Sequence, residues 1–274
     1  MQDFRVVAGA LDSNSLHRAL QPAVRDEVAT IDLGHASFVT PAGLVAVASF
    51  AQRAARKGRQ VEVLRPTNSD VANYVSRARL GTVLDEVGAN HDLPSVREHD
   101  VGDNLIPVES FDTADGVETL ARHVWTQVDP IDPDAAAVIY TALAAMGENV
   151  GYHSGQSRGY MAAQKTHRGR VLRFAVADAG RGFRKSLSHR SPKSDAAALA
   201  MALQAGVSGT DDAARGYGLH EMVQRFRGIN ATLHLRSGSG SHTVFATGRT
   251  RSDTYSIKLR GSVLEGSIPL TRKK

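Results

Sequence analysis

The stretch from Val176 to Leu219 constrains this chain more than any other. A short apolar run, Val171-Leu172-Arg173-Phe174-Ala175-Val176-Ala177, reads as a strand and breaks abruptly into Asp178-Ala179-Gly180-Arg181-Gly182-Phe183. Further on, a second glycine pair, Gly216-Tyr217-Gly218-Leu219, runs straight into a helical pattern. A strand that ends in an acid and two spaced glycines, then a long loop, then glycines that open a helix, is what a purine nucleotide site needs. The acid can accept the exocyclic amine of adenine. The glycines let backbone N–H groups approach phosphates, and a helix N-terminus favours their negative charge.

The chain has 274 residues, enough for one large domain or two ordinary ones. Aromatic residues make up only 5%, so its cores must rest on Ala, Val and Leu. There is no cysteine, which excludes a disulfide framework, a thiolate metal site and a thiol nucleophile, and fits a reducing cytosol. No apolar run approaches the roughly 20 residues that span a bilayer. The start, Met1-Gln2-Asp3-Phe4-Arg5, lacks the basic and apolar segments of a signal peptide. The net charge is +5, with compact basic runs only at Arg53 to Arg59 and Arg272-Lys273-Lys274. A solvated helix face and a frayed terminus account for these better than nucleic-acid binding does.

Residues 4–11 and 27–34 read as strands. Phe38-Val39-Thr40-Pro41-Ala42-Gly43-Leu44 then leads into a helix, with Pro41 in the first turn where its missing N–H costs nothing. That helix turns basic and stops at Gly58. Gln60 to Leu64 is another strand, and Asn68 or Ser69 caps a helix to about Leu84. Apolar strands feeding helices in this way predict a small α/β domain. The polar residues 88–104 read as an interdomain linker, and their His and Asp residues lack regular metal-ligand spacing.

Through Ile31-Asp32-Leu33, Phe38 to Leu44 and Arg59 to Pro66, residues 1–95 resemble a STAS domain, the fold of anti-anti-sigma factors. In that family the segment before Gly-Leu carries a hydroxyl that a partner kinase phosphorylates. Here Thr40 and Pro41 stand at the usual Asp and hydroxyl positions, and proline has nothing to phosphorylate. Thr40 is one position early and is expected to cap the helix instead. The resemblance therefore implies a docking or sensing module without the usual phospho-switch.

In the second half, Leu105 to Phe111 reads as a strand, and Asp112 or Thr113 starts a helix to about Val128. Asp132-Pro133-Asp134 is a strong helix start, and the helix runs from Ala135 to His153. Ala145, Asn149 and His153 recur every four residues and share one face of it. Residues 184–215 form a long insertion, basic at its start and Ala-rich from Asp195 to Ala205, expected to order when phosphates bind. Ala231 to Arg236 and His242 to Thr247 read as a strand pair. The alternating Tyr255 to Leu259 is either a last strand or a partner-binding extension.

These motifs give residues 104–248 a resemblance to the GHKL, or Bergerat-fold, ATP-binding domain of histidine kinases, gyrase-type ATPases and anti-sigma serine kinases. The helix with Glu148-Asn149 that ends at His153-Ser154 resembles its N box. Asp178 to Phe183 resembles its D-x-G-x-G motif, and Ala205 to Ser208 with Gly216 to Leu219 resembles the end of its ATP lid. The resemblance implies that Asn149 offers an amide oxygen to Mg²⁺ and that Asp178 accepts from adenine. Gly180 and Gly182 let the chain turn beside base and sugar, Gly216, Tyr217, Gly218 and Leu219 donate backbone N–H groups to phosphates, and Thr243 helps to hold adenine.

One departure matters. Kinase members of the serine-kinase branch carry a glutamate base four residues before the Asn, and this chain has Ala145 there. Such a base contributes roughly 10²–10⁴-fold. Glu148 lies about 100° away around the helix. The expected architecture is thus α/β: a STAS-like α/β domain with linker over residues 1–102, then a GHKL two-layer α/β sandwich over 103–274. The expected function is that of a cytoplasmic, ATP- and Mg²⁺-binding bacterial regulator, either a serine/threonine protein kinase or a weak ATPase, with catalysis weak or absent and no catalytic residue assigned. Its expected partners are ATP or ADP and a protein of STAS or sigma-regulatory type, with no membrane and no nucleic acid. A homodimer stays open, as does the alternative of a nucleotide-independent interaction module using the STAS-like half.

Overall fold

A computed structural model of the chain describes residues 4–16, 28–95, 104–153, 158–209 and 216–271. The fold is mixed α/β, and the described residues form three sheets. The first half supplies β1 (Phe4–Val6), β2 (Gly9–Leu11), β3 (Val28–Asp32), β4 (Ala36–Val39), α1 (Pro41–Arg56), β5 (Gln60–Leu64), α2 (Ser69–Arg77), α3 (Leu80–Glu86) and β6 (Asn90–His91). Strands β1, β3, β5 and β6 form a parallel sheet in that order, and β2 pairs with β4 in a small second one. The second half supplies β7 (Leu105–Phe111), α4 (Ala114–Val128), α5 (Pro133–His153), β8 (Gly159–Thr166), β9 (Val171–Asp178), α6 (Phe183–Ser186), α7 (Asp195–Ala202), α8 (Gly218–Gly228), β10 (Thr232–Val244) and β11 (Thr250–Pro269). Its five strands form an antiparallel sheet in the order β10-β11-β9-β8-β7.

The helix starts follow from local chemistry. Thr40 caps α1 by accepting from the Gly43 N–H at 3.2 Å, and Asn68 caps α2 by accepting from the N–H groups of Asp70 and Val71. Thr113 does the same for α4 through the Gly116 N–H. Asp132 accepts from the Ala135 N–H at 3.0 Å with one oxygen. With the other it accepts from the N–H and hydroxyl of Thr271, so the start of α5 is fastened to the chain just beyond β11.

Helix α1 organises the molecule. Twelve of its 16 residues are buried, as expected of a helix that is apolar around most of its circumference. It packs on β5 and α3 of its own half and on β8, β9 and β11 of the other. The five-stranded sheet is therefore covered on both faces, and side-chain alternation sorts its residues between them. Tyr160, Ala162, Ala175, Ala177 and Val263 join the core built around α1. Met161, Ala163, Phe174, Val176 and Leu264 join the core under α4, α5 and α8, where Phe174 meets Phe226 edge-on at 6.1 Å. Small residues on the α1 side let helix and sheet approach closely.

Several expectations need correction. The helix expected from Asn68 to Leu84 is two helices, broken where Arg79 adopts a left-handed φ of 54°. Residues 88–95 are not linker: β6 pairs with β5, and Ala89 and Leu93 are buried; residues 96–103 lie outside the described segments. The expected strand pair at 231–247 is one bulged strand, β10. Its partner is β11, which also pairs with β9 and so lies inside the sheet rather than at its edge.

Candidate functional site

The C-terminal turns of α5 and the start of α8 meet across a cavity of about 370 Å³. Ala145, Glu148 and Asn149 line it from α5, and Gly216, Tyr217, Gly218 and Leu219 line it from the chain entering α8. Phe183, Ser186 and Leu187 close a third side, and Ala202 and residues 207–209 complete it from the long insertion. Residues 210–215 and Ser154 are not among the described residues, and neither is the side chain of His153.

Two glycines are fixed here by space. Gly216 has a φ of +93°, and a Cβ on it would meet the Val207 backbone at 2.6–2.8 Å. A Cβ on Gly218 would stand 3.2 Å from the Ala145 Cβ, so the two helices touch through their smallest residues. Tyr217 precedes α8 without giving it a side-chain cap. The first N–H groups of α8 are thus without the partner that such a cap would supply, and Gly218 and Leu219, which carry two of them, line the cavity. On the facing wall stand the Asn149 amide and the exposed Glu148 carboxylate, both oxygen donors of the kind that hard divalent cations take. Glu148 lines the cavity with Asn149 although the two are set about 100° apart around the helix.

Asp178 ends β9 on the face of the sheet under α4, α5 and α8, in row with Phe174 and Val176. It is buried and does not line the cavity. One carboxylate oxygen accepts from the Gly180 N–H at 2.6 Å, and the other accepts from the Ser262 hydroxyl directly across on β11. Burial raises its pKa, and the bonds from Ser262 and Gly180 oppose that rise. Ser262 was not among the residues expected from sequence. Its signal there is a small hydroxyl followed by apolar Val263 and Leu264 in the alternating tail.

The turn after Asp178 is held by β10. Gly182 has a φ of +76°, and a Cβ on it would lie 2.6 Å from the Ser237 hydroxyl. That hydroxyl accepts from the Phe183 N–H and donates to the Gly261 carbonyl. Gly180 and Gly182 line a second cavity, of about 610 Å³, on the other side of this turn. Thr243 is elsewhere: its hydroxyl bonds His234 Nδ1 at 2.7 Å, and it lines a third cavity with Asp12, Glu265 and Arg251. Ser262, and not Thr243, stands beside Asp178, and the pairing of β10 with β11 sets Thr243 opposite Arg251.

Of the residues expected to bind nucleotide, the fold brings together Asn149, Gly216, Tyr217, Gly218 and Leu219. Asp178 is not part of that lining, Gly180 and Gly182 line the second cavity, and Thr243 lines the third. No family model matches the chain, and no curated protein matches it.

Proposed function

We propose that the chain binds ATP with Mg²⁺ in the first cavity and acts as a bacterial, cytoplasmic regulator of the anti-sigma serine-kinase type, with a STAS-like first half and a GHKL second half. The observation that carries this reading is the convergence of Asn149 with the uncapped start of α8 on one cavity. The donor set fits the ligand: N–H groups at a helix start suit phosphates, and the oxygens of Asn149 and Glu148 suit Mg²⁺. Magnesium would neutralise phosphate charge between these walls. Catalysis is weak in this reading because Ala145, which lines the cavity, has no group to take a proton. Among the described residues no helix is long and apolar enough to cross a membrane.

A second reading, a nucleotide-independent interaction scaffold, is favoured by one observation. Asp178 is engaged by Ser262 and Gly180 and does not reach the cavity wall. Calorimetric titration with ATP in Mg²⁺ and in EDTA separates the two. Nucleotide binding requires that Asn149→Ala lose more affinity in Mg²⁺ than in EDTA. No binding of wild type in either buffer would establish the scaffold instead.

A further inference from the structure

The second cavity draws on both halves of the chain. Arg53 reaches it from α1 and donates to the Ala179 carbonyl at 3.1 Å. Arg181, Arg184 and Lys185 line it from the glycine turn and α6, and Lys258 and Arg260 from β11. Among the described residues none of these six cations makes an ion pair. The one carboxylate on the wall, Asp195, is engaged through one oxygen by the N–H and hydroxyl of Ser239. Gly180, Gly182, Gly238 and Gly261 supply the wall between the cations, so a ligand can approach bare backbone.

We infer that this cavity is a binding site for a small polyphosphate anion, separate from the first cavity and shared between the two halves of the chain. Six cations against one engaged carboxylate call for a ligand carrying several negative charges, which a triphosphate supplies and a single phosphate does not. A volume of about 610 Å³ admits such a ligand. The site is concave rather than a stripe, and no aromatic side chain lines it to stack a base, which favours a small anion over a nucleic acid. The cations already repel one another. The pKa of Arg53 is lowered by burial and then by Arg260, and that of Lys57, just beyond α1, is lowered first by Arg53. An anion would relieve this repulsion and fasten α1 to the glycine turn.

The test is calorimetric titration of the full chain with inorganic tripolyphosphate at fixed salt. Wild type should bind tripolyphosphate saturably. Arg260→Ala and Lys258→Ala, whose side chains are exposed and leave the core untouched, should each weaken binding roughly tenfold. Arg53→Ala should do at least as much, and Arg122→Ala, which removes an exposed cation of α4 that lines neither cavity, should leave the affinity unchanged. Parallel titration with ATP in the Asn149→Ala background tells the sources apart: equal affinity identifies the phosphate chain alone as the ligand, and tighter binding identifies a nucleotide. Unchanged affinity in Arg260→Ala and Lys258→Ala overturns the proposal. So does a loss confined to Asn149→Ala, or a duplex oligonucleotide that displaces tripolyphosphate and binds more tightly.

Discussion

Substituting Asp178 separates a structural role from a ligand-binding one. Its carboxylate is buried and accepts from both the Gly180 N–H and the Ser262 hydroxyl. Asparagine keeps the shape, still accepts from Gly180, and can donate to the Ser262 oxygen. It also removes a charge that burial disfavours, so the stability of Asp178→Asn at pH 7 should stay within about 1 kcal/mol of wild type. Alanine strands both donors in a dry site, at about 1–3 kcal/mol each, so Asp178→Ala should lose roughly 2–5 kcal/mol. The pH dependence has a definite sign. The folded-state pKa is raised above 3.8, so the wild-type carboxyl contributes most below that pH and its contribution falls as pH rises through the folded value. Relative to wild type, the Asn variant should therefore gain stability between pH 4 and 7. If the carboxylate also receives adenine, Asp178→Asn should weaken ATP binding by about 1.5–3 kcal/mol, roughly 10- to 100-fold, with the fold intact. Urea unfolding at pH 4 and 7, with calorimetry on the same samples, measures both effects. Full ATP affinity in a folded Asn variant would refute the adenine role, and an Asn variant as unstable as the Ala variant would refute the hydrogen-bond argument.

Three further outcomes follow from the geometry. Burial, and then Arg236, lower the His234 pKa to about 4; its contribution is complete above 6.5 and is lost as pH falls through about 4, a difference of about 3 kcal/mol that His234→Asn should abolish in melting curves between pH 7 and 4. The Thr40 hydroxyl caps α1 and is only 1% exposed, so Thr40→Ala should cost about 1 kcal/mol, and mass spectrometry after incubation with a STAS-directed kinase should find no phosphate there. Ala145→Glu should raise ATP turnover by about 10²-fold if the rest of the site is competent; brisk wild-type hydrolysis that Glu148→Ala abolishes would instead make Glu148 the base.

Elements set by local chemistry were legible in the sequence. Caps at Thr40, Asn68, Thr113 and Asp132 mark their helices, and the run Gln60 to Leu64 is its strand to the residue. What depends on distant partners was not. Ser237-Gly238-Ser239-Gly240 looks like a turn, but it is a bulge in β10, held by Asp195 through the N–H and hydroxyl of Ser239. Nothing local separates Thr243 from Ser262 as the neighbour of Asp178, because that pairing spans 84 residues of chain. Nor does the pattern of α1 reveal that two sheets, and not one, bury it.

The position of α1 makes the chain hard to divide. A cut between residues 95 and 104 looks natural from the sequence, yet it would strip α1 from Tyr160, Ala162, Ala175 and Ala177. The severed second piece would show water an alanine-rich sheet face, and the first would show the apolar length of α1 that now covers it. Neither fragment is a self-sufficient folding unit by this measure. The joint between the halves is itself a stretch of hydrophobic core, so one half can shift against the other only by repacking α1.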